Sequence, residues 1–219
     1  MTAPREISKI PPTFVEEARL WATGYRYVAG LDEAGRGALA GPVVAAAVIA
    51  PRASRLEGVW TEVRDSKLLR PAAREALVAP IQQAAKAWGV GVISAAIIDE
   101  IGIAPATRRA MLAALAALGI SPDYLLIDWV KLPEAELPQT CVPKADLKMA
   151  SVAAASILAK VTRDRLMVVM AEQYPAYGFG GHKGYGAARH LAALREHGPC
   201  VEHRHSFSPI ATLHEQGEA

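Results

Sequence analysis

The chain has 219 residues, 52% hydrophobic and 21% charged, with 24 Lys and Arg against 22 Asp and Glu. That balance excludes a disordered or fibrous protein, and whole-chain charge singles out no class of partner. The length suits one large domain, or a domain with an appendage.

Residues 1–24 read as a lead-in, with a helix over 13–21 whose start is marked by Pro11 and Pro12. Strands are expected over 25–31 and 43–49, joined through Gly35-Arg36-Gly37 as an antiparallel hairpin. The second is apolar on both faces, as in a covered sheet. A helix is expected from Pro71 to about residue 87, then a strand over 88–94. An Ala/Leu-rich helix over 107–118 is closed by Gly119 and Pro122. Residues 124–127 form a short buried strand ending at Asp128, and its position after a helix makes parallel pairing natural. Pro133 and Pro138 make the next segment a loop. The longest helix is expected over 147–172, with Asp146 at its mouth and Ala150, Ala153, Ala154, Ala155 and Ala159 allowing close packing on a sheet. The glycine-rich stretch 177–186 reads as a loop before a last helix, 187–196. A hairpin followed by alternating helices and strands implies an α/β protein, a mixed sheet flanked by helices. Its body spans 25–209 and a tail spans 210–219.

Cys141 and Cys200 have the spacing of neither a disulfide framework nor a zinc site, so they read as small apolar residues in a reducing compartment. The first residues lack the apolar core of a signal peptide, and the apolar run 39–51 is too short to cross a bilayer. A cytoplasmic protein without membrane contact is expected. Five of the six histidines fall between His182 and His205 beside Lys183, Arg189, Arg195 and Arg204, a candidate face for phosphates.

The chemistry lies in the acids. Asp32 and Glu33 end the first strand, Asp128 ends a later one and Asp146 opens the long helix. Taken singly, Asp146 reads equally well as a helix N-cap and Asp128 as a turn residue. Together the four suggest a cluster of oxygen ligands at one sheet edge, suited to Mg²⁺ or Mn²⁺ rather than zinc. One geometric demand follows. Neighbours on a regular strand face opposite ways, so the strand must end, twist or bulge near Asp32, or Glu33 must serve through its carbonyl or at the site margin.

The segment from Gly30-Leu31-Asp32-Glu33-Ala34-Gly35-Arg36-Gly37 through Leu39-Ala40-Gly41-Pro42-Val43-Val44 resembles the signature of ribonuclease HII, the bacterial type 2 ribonuclease H. Asp65-Ser66-Lys67-Leu68, Leu126-Ile127-Asp128 and Lys144-Ala145-Asp146 are similar to later motifs of that family. So are the helix segment 153–164, the loop with Tyr177-Gly178-Phe179 and His182-Lys183-Gly184-Tyr185-Gly186, and His203-Arg204-His205-Ser206-Phe207. Two departures stand out: Ala38 where the motif has proline, and Trp129-Val130 where a small residue and a polar one are usual.

The resemblance implies a ribonuclease H-like sheet with a C-terminal helical and loop extension. It implies that Asp32, Glu33, Asp128 and Asp146 are catalytic and hold two divalent cations, Mn²⁺ or Mg²⁺. One would generate the attacking hydroxide and the other would stabilise the leaving 3′ oxygen. The implied reaction is endonucleolytic hydrolysis of RNA in RNA/DNA hybrids, and of duplex DNA on the 5′ side of embedded ribonucleotides. It would leave 3′-hydroxyl and 5′-phosphate ends and serve ribonucleotide excision repair and primer removal. Gly35, Arg36 and Gly37 would contact the ribose 2′-hydroxyl, with Tyr185 stacking on the next deoxyribose. Ser66, Lys67, Lys160, Arg163 and Lys183 would touch phosphates or the duplex. A monomer is implied, with a replication-clamp contact near Leu213 as a further option. Three other readings compete: ribonuclease HIII, which lacks Gly-Arg-Gly and carries an extra N-terminal domain; another nuclease or transposase on the fold; and a non-catalytic nucleic-acid-binding module. For the last, four acids clustered against a polyanion are self-defeating without metal.

Overall fold

A computed structural model describes residues 11–53 and 55–215. Its centre is β1 (Val28–Ala34), paired antiparallel with β2 (Val43–Ile49) and parallel with β4 (Tyr124–Asp128). The outer strands are β3 (Ala87–Ile93), antiparallel to β2, and β5 (Gln139–Val142), parallel to β4. The sheet order is β3-β2-β1-β4-β5. The helices are α1 (Val15–Ala22), α2 (Pro71–Ala84), α3 (Ala95–Ile101), α4 (Ile103–Ala116), α5 (Ala150–Gln173), the single turn α6 (Phe179–His182), α7 (Ala188–His197) and α8 (Ile210–Glu215).

Side-chain alternation splits the sheet into two cores. Val28, Ala46, Val48 and Leu126 pack with the alanines of α5, while Ala29, Leu31, Ala45, Ala47, Leu125 and Ile127 pack with Ala110, Met111 and Ala114 of α4. Small residues set the spacing. A Cβ on Gly30 would lie 2.4 Å from the Ser151 carbonyl carbon, so α5 rests directly on β1. On the opposite face, Cβ atoms at Gly89 and Gly91 would meet the carbonyls of Ala114 and Ala110 at 2.2 and 2.0 Å. A third cluster of Leu39, Met167, Tyr177, Phe179, Ala193, Leu194 and Ile210 forms the C-terminal helical part.

The lead-in is tied into this body. Phe14, Leu20 and Trp21 join the α5-side core. Buried Glu17 accepts from the Ser151 N–H and hydroxyl at 3.0 and 2.7 Å, so it caps α5, whose own N-cap residue Met149 makes no side-chain cap.

Several boundaries differ from expectation. The long helix begins at Ala150, and Asp146 sits in a preceding 3₁₀ turn, Ala145–Leu147, so it is not the helix cap. α2 stops at Ala84 because Lys86 N–H already bonds the Ile49 carbonyl to start β3. β5 occupies the stretch after Pro138 that read as loop; four residues between prolines carry little periodicity. α3 is capped by Ser94, and Gly102 at φ +83° separates it from α4, which starts four residues before the expected helix. The 177–186 stretch contains the turn α6, and α8 covers most of the expected tail. Among the described residues no helix is long and apolar enough to cross a membrane.

Because α5 rests on Gly30, Gly30→Ala should lower stability by at least ~2 kcal/mol, an overpacking cost against backbone that cannot yield. Chemical denaturation checks it; a loss under ~0.5 kcal/mol would mean that the strand and helix are less tightly apposed.

Candidate active site

Parallel pairing brings the first two acids together. The register of β1 and β4 ends at Leu31 opposite Ile127, so Asp32 and Asp128 follow at the same level on adjacent strands. Both belong to the α5 side by alternation. Asp128 Oδ1 accepts the Ala145 N–H at 2.9 Å, which anchors the 3₁₀ turn and delivers Asp146 to the same corner. One carboxylate oxygen from each of Asp32, Asp128 and Asp146 lies within 4.8 Å of the others.

Glu33 is outside that triad. β1 keeps its register with β2 through Ala34, so no bulge re-aims the side chain. Glu33 sits at the site margin, with Oε1 3.5 Å from Arg36 Nη1 and Oε2 buried without a hydrogen-bond partner among the described residues.

A fifth acid belongs here. Asp65, nearly buried, lies within hydrogen-bond reach of the Asp146 carboxyl and accepts the Lys67 N–H at 2.9 Å. Lys67 Nζ is 3.8 Å from both Asp65 and Asp146. Sequence reasoning passed over Asp65 although it opens the quoted Asp-Ser-Lys motif.

Crowding acids in a buried corner makes ionisation unfavourable. Burial, then the charges of Glu33, Asp128 and Asp146, hold Asp32 well above the usual carboxylate range. Burial, then Asp65 and Asp128, push Asp146 up to about 7. Burial raises Glu33 too, with Arg36 opposing. Burial pulls Lys67 down, but the surrounding acids outweigh it and the net shift is upward. Clustered hard oxygen donors, one of them orphaned, fit a divalent cation better than any side-chain partner present.

A cleft of about 450 Å³ opens beside the acids. It is lined by Asp32, Glu33 and Asp128 together with Gly35, Arg36, Gly37, Ser66, Lys67, Lys160 and Tyr185. The Tyr185 ring is 37% exposed and lies over Arg163 Cζ at 5.3 Å and Lys160 Nζ at 5.7 Å. Lys160 and Tyr185 also line an adjoining cleft of about 750 Å³ with Lys183. Other expected contacts are already engaged. The buried Ser66 hydroxyl accepts from Ser156 at 2.8 Å, Lys160 pairs with Asp164 at 2.7 Å, and Lys183 Nζ donates to the Gly180 carbonyl.

Arg163 requires correction. It is fully buried and donates to the carbonyls of Pro42, Lys183 and Ala40, so it presents no surface to a phosphate. Likewise His190, His203 and Arg204 are fully buried, and the expected C-terminal basic face does not include them. Gly35 has φ +94°, and its hypothetical Cβ would lie 2.0 Å from Arg163 Nε, so this glycine is required by the buried guanidinium. Gly37 faces open space. Trp129, at the unusual position after Asp128, has φ +64° and is 62% exposed. That left-handed conformation explains why a glycine or small residue is easier to place there.

Acids raised in the fold bind protons that the unfolded chain has lost, so Asp146 contributes a fall in stability as pH rises from about 4 to about 7. Buried His203, held down to about 4, opposes this with a rise up to its ordinary value near 6.5. Each such group contributes at most ~1.4 kcal/mol per pH unit. In EDTA the melting temperature of wild type minus that of Asp146→Asn should fall across this window, and millimolar Mg²⁺ or Mn²⁺ should reverse that trend. A metal-free difference that rises across this window would contradict the electrostatic description.

The family model for Ribonuclease HII matches residues 29–210. Ribonuclease HII of Geobacillus thermodenitrificans is 55% identical over 194 residues, 89% of this chain and 73% of that one. The solved ribonuclease H2 from Pyrococcus horikoshii superposes with a TM-score of 0.74 at 27% identity, covering 88% of this chain and 99% of that one. RNase HII from Archaeoglobus fulgidus, solved in complex with PCNA, gives 0.71 at 28% identity over 85% and 96% of the two chains. Identity this high over most of the sequence, on a matching mixed sheet, establishes that the chain belongs to the ribonuclease HII family.

Proposed function

We propose that this ribonuclease H, a hydrolase of RNA/DNA hybrids, also nicks duplex DNA on the 5′ side of an embedded ribonucleotide, with Asp32, Glu33, Asp128 and Asp146 as its metal-holding acids. The observation that carries the reading is the triad of converging carboxylates, two of which, Asp32 and Asp128, line a cleft with Gly35, Arg36, Gly37 and Tyr185.

Two divalent cations, when bound, supply an activated water and charge stabilisation for the leaving 3′ oxygen, giving 3′-hydroxyl and 5′-phosphate ends. The protein's part is to hold and orient. Asp32, Asp128 and Asp146 converge from two strands and a turn, so the ligand set is preorganised by the sheet itself. Glu33 approaches from the margin, restrained by Arg36. Lys67, largely exposed and 3.8 Å from Asp146, would meet a phosphodiester oxygen at the mouth of the cleft.

Selection for RNA falls to the Gly35–Gly37 segment, where backbone can approach a ribose 2′-hydroxyl. Tyr185, exposed at the rim and backed by two cations, is placed to stack on the sugar that follows. Tyr177 is buried in the C-terminal core and does not compete for this task. Such activity suits ribonucleotide removal and primer processing. The Archaeoglobus neighbour's complex with PCNA supports a clamp contact for this chain as well. The expected contact near Leu213 involves side chains outside the described part, so that proposal rests on the neighbour alone.

Cleavage of a duplex carrying one ribonucleotide should require Mg²⁺ or Mn²⁺ and stop in EDTA. Asp32→Asn and Asp146→Asn should each lower the rate at least ~100-fold, comparable to losing a preorganised charge-stabilising group. Tyr185→Ala should slow nicking at single ribonucleotides more than cutting of an all-RNA hybrid strand. Undiminished activity in either Asp variant would sink the acid assignment, and equal Tyr185 losses on both substrates would remove the junction-reading role.

A further inference from the structure

Two arginines lie beneath the Gly35–Gly41 segment, both fully buried and, among the described residues, neither within ion-pair distance of a carboxylate. A buried cation without an acid is expensive and survives only when its donors are satisfied. Here main-chain carbonyls satisfy them. Arg204 Nη1 donates to the Arg36 carbonyl at 2.8 Å, while Nε and Nη2 donate to the Gly41 carbonyl at 3.1 and 2.9 Å. Arg163 donates to Pro42, Ala40 and Lys183 at 2.9, 3.1 and 2.9 Å. Five carbonyls, those of residues 36, 40, 41, 42 and 183, therefore turn inward onto two guanidinium groups. A planar fork can hold several carbonyls at fixed angles where an ammonium cannot.

This fixes which groups face outward. A trans peptide places its C=O and N–H on opposite sides. With the Arg36 carbonyl drawn inward to Arg204, the N–H of Gly37 in the same peptide points away, towards the cleft that Arg36 and Gly37 line. Among the described residues that N–H has no acceptor, whereas the next two, Ala38 and Leu39, bond the carbonyls of Gly35 and Gly184. The Leu39 bond and the Arg163 bond to Lys183 also lock this segment to the loop bearing Tyr185.

We propose that Arg204 is a positioning residue for ribonucleotide recognition: it sets the Arg36–Gly37 peptide so that the Gly37 N–H is presented as a donor to a ribose 2′-oxygen, while Arg163 holds the segment in register with Tyr185. The inference rests on the reading that this cleft selects ribonucleotides. Neither arginine touches the substrate. Each acts through the backbone it holds.

The test measures kcat/KM for Arg204→Lys and wild type on two duplexes identical except for one ribonucleotide or deoxyribonucleotide at the target position, at a Mn²⁺ concentration giving measurable cutting of both. The lysine keeps a cation but loses the fork, so the ribo-over-deoxy ratio should fall at least tenfold. A role confined to folding would lower both rates together and leave the ratio intact, and that result overturns the proposal. Gly37→Pro deletes the N–H itself at a position with open space and serves where Arg204→Lys fails to fold. It should reduce the ratio similarly, and an unchanged ratio overturns the proposal independently. If wild type shows no ribonucleotide preference, the functional reading fails instead, which separates the two failures.

Discussion

The organising constraint is the repulsion among acids forced into one buried corner. Asp32 and Asp128 are neighbours because β1 and β4 are parallel and in register, and the bond from Ala145 N–H to Asp128 adds Asp146. Lys67, 3.8 Å from Asp146, offsets only part of their charge, so burial and mutual repulsion raise Asp32 and Asp146 together. The fold tolerates this because the scaffold is stiff. β2 is fully buried along its length, and α5 lies against β1 with no room for a side chain at Gly30. A looser sheet would let the carboxylates separate, and the cation site would disperse with them.

Two fully buried arginines are kept apart from the acids. Arg163 and Arg204 are as buried as the carboxylates but neutralise none of them; their donors are spent on carbonyls around the Gly35–Gly41 segment. Burial, then the like charge of Arg163, brings Arg204 down to about 9, so this arrangement is also costly. Pairing these arginines with the acids would be the more stable solution and would leave no vacancy in the electrostatics for a divalent cation. The Gly-Arg-Gly turn, which follows β1, therefore divides a metal-seeking face from a backbone-presenting one.

Much of this was legible beforehand. Asp32, Asp128 and Asp146 stood out because each follows or opens an apolar element, and chain order allowed β4 to pair with the first strand. Alternation marked Glu33 as awkward, and it does sit at the margin without a bulge. What stayed hidden is set by tertiary burial. An arginine on a long helix reads as surface until its neighbours are known, so Arg163 passed for a phosphate contact. The C-terminal histidines read as a basic face, yet His190 Nε2 is buried 3.0 Å from His203 Nε2. β5 was obscured by its flanking prolines, and Asp65 by the serine and lysine beside it.

The claim that the acid corner is an unsatisfied cation site is tested most directly by calorimetric titration of Mn²⁺ at pH 7 in buffers of different ionisation enthalpy. Asp146, pushed up to about 7, is partly protonated at this pH and must lose that proton when a cation binds, so Mn²⁺ binding with net proton release is expected. Binding with no proton release, or no binding at all, would contradict it.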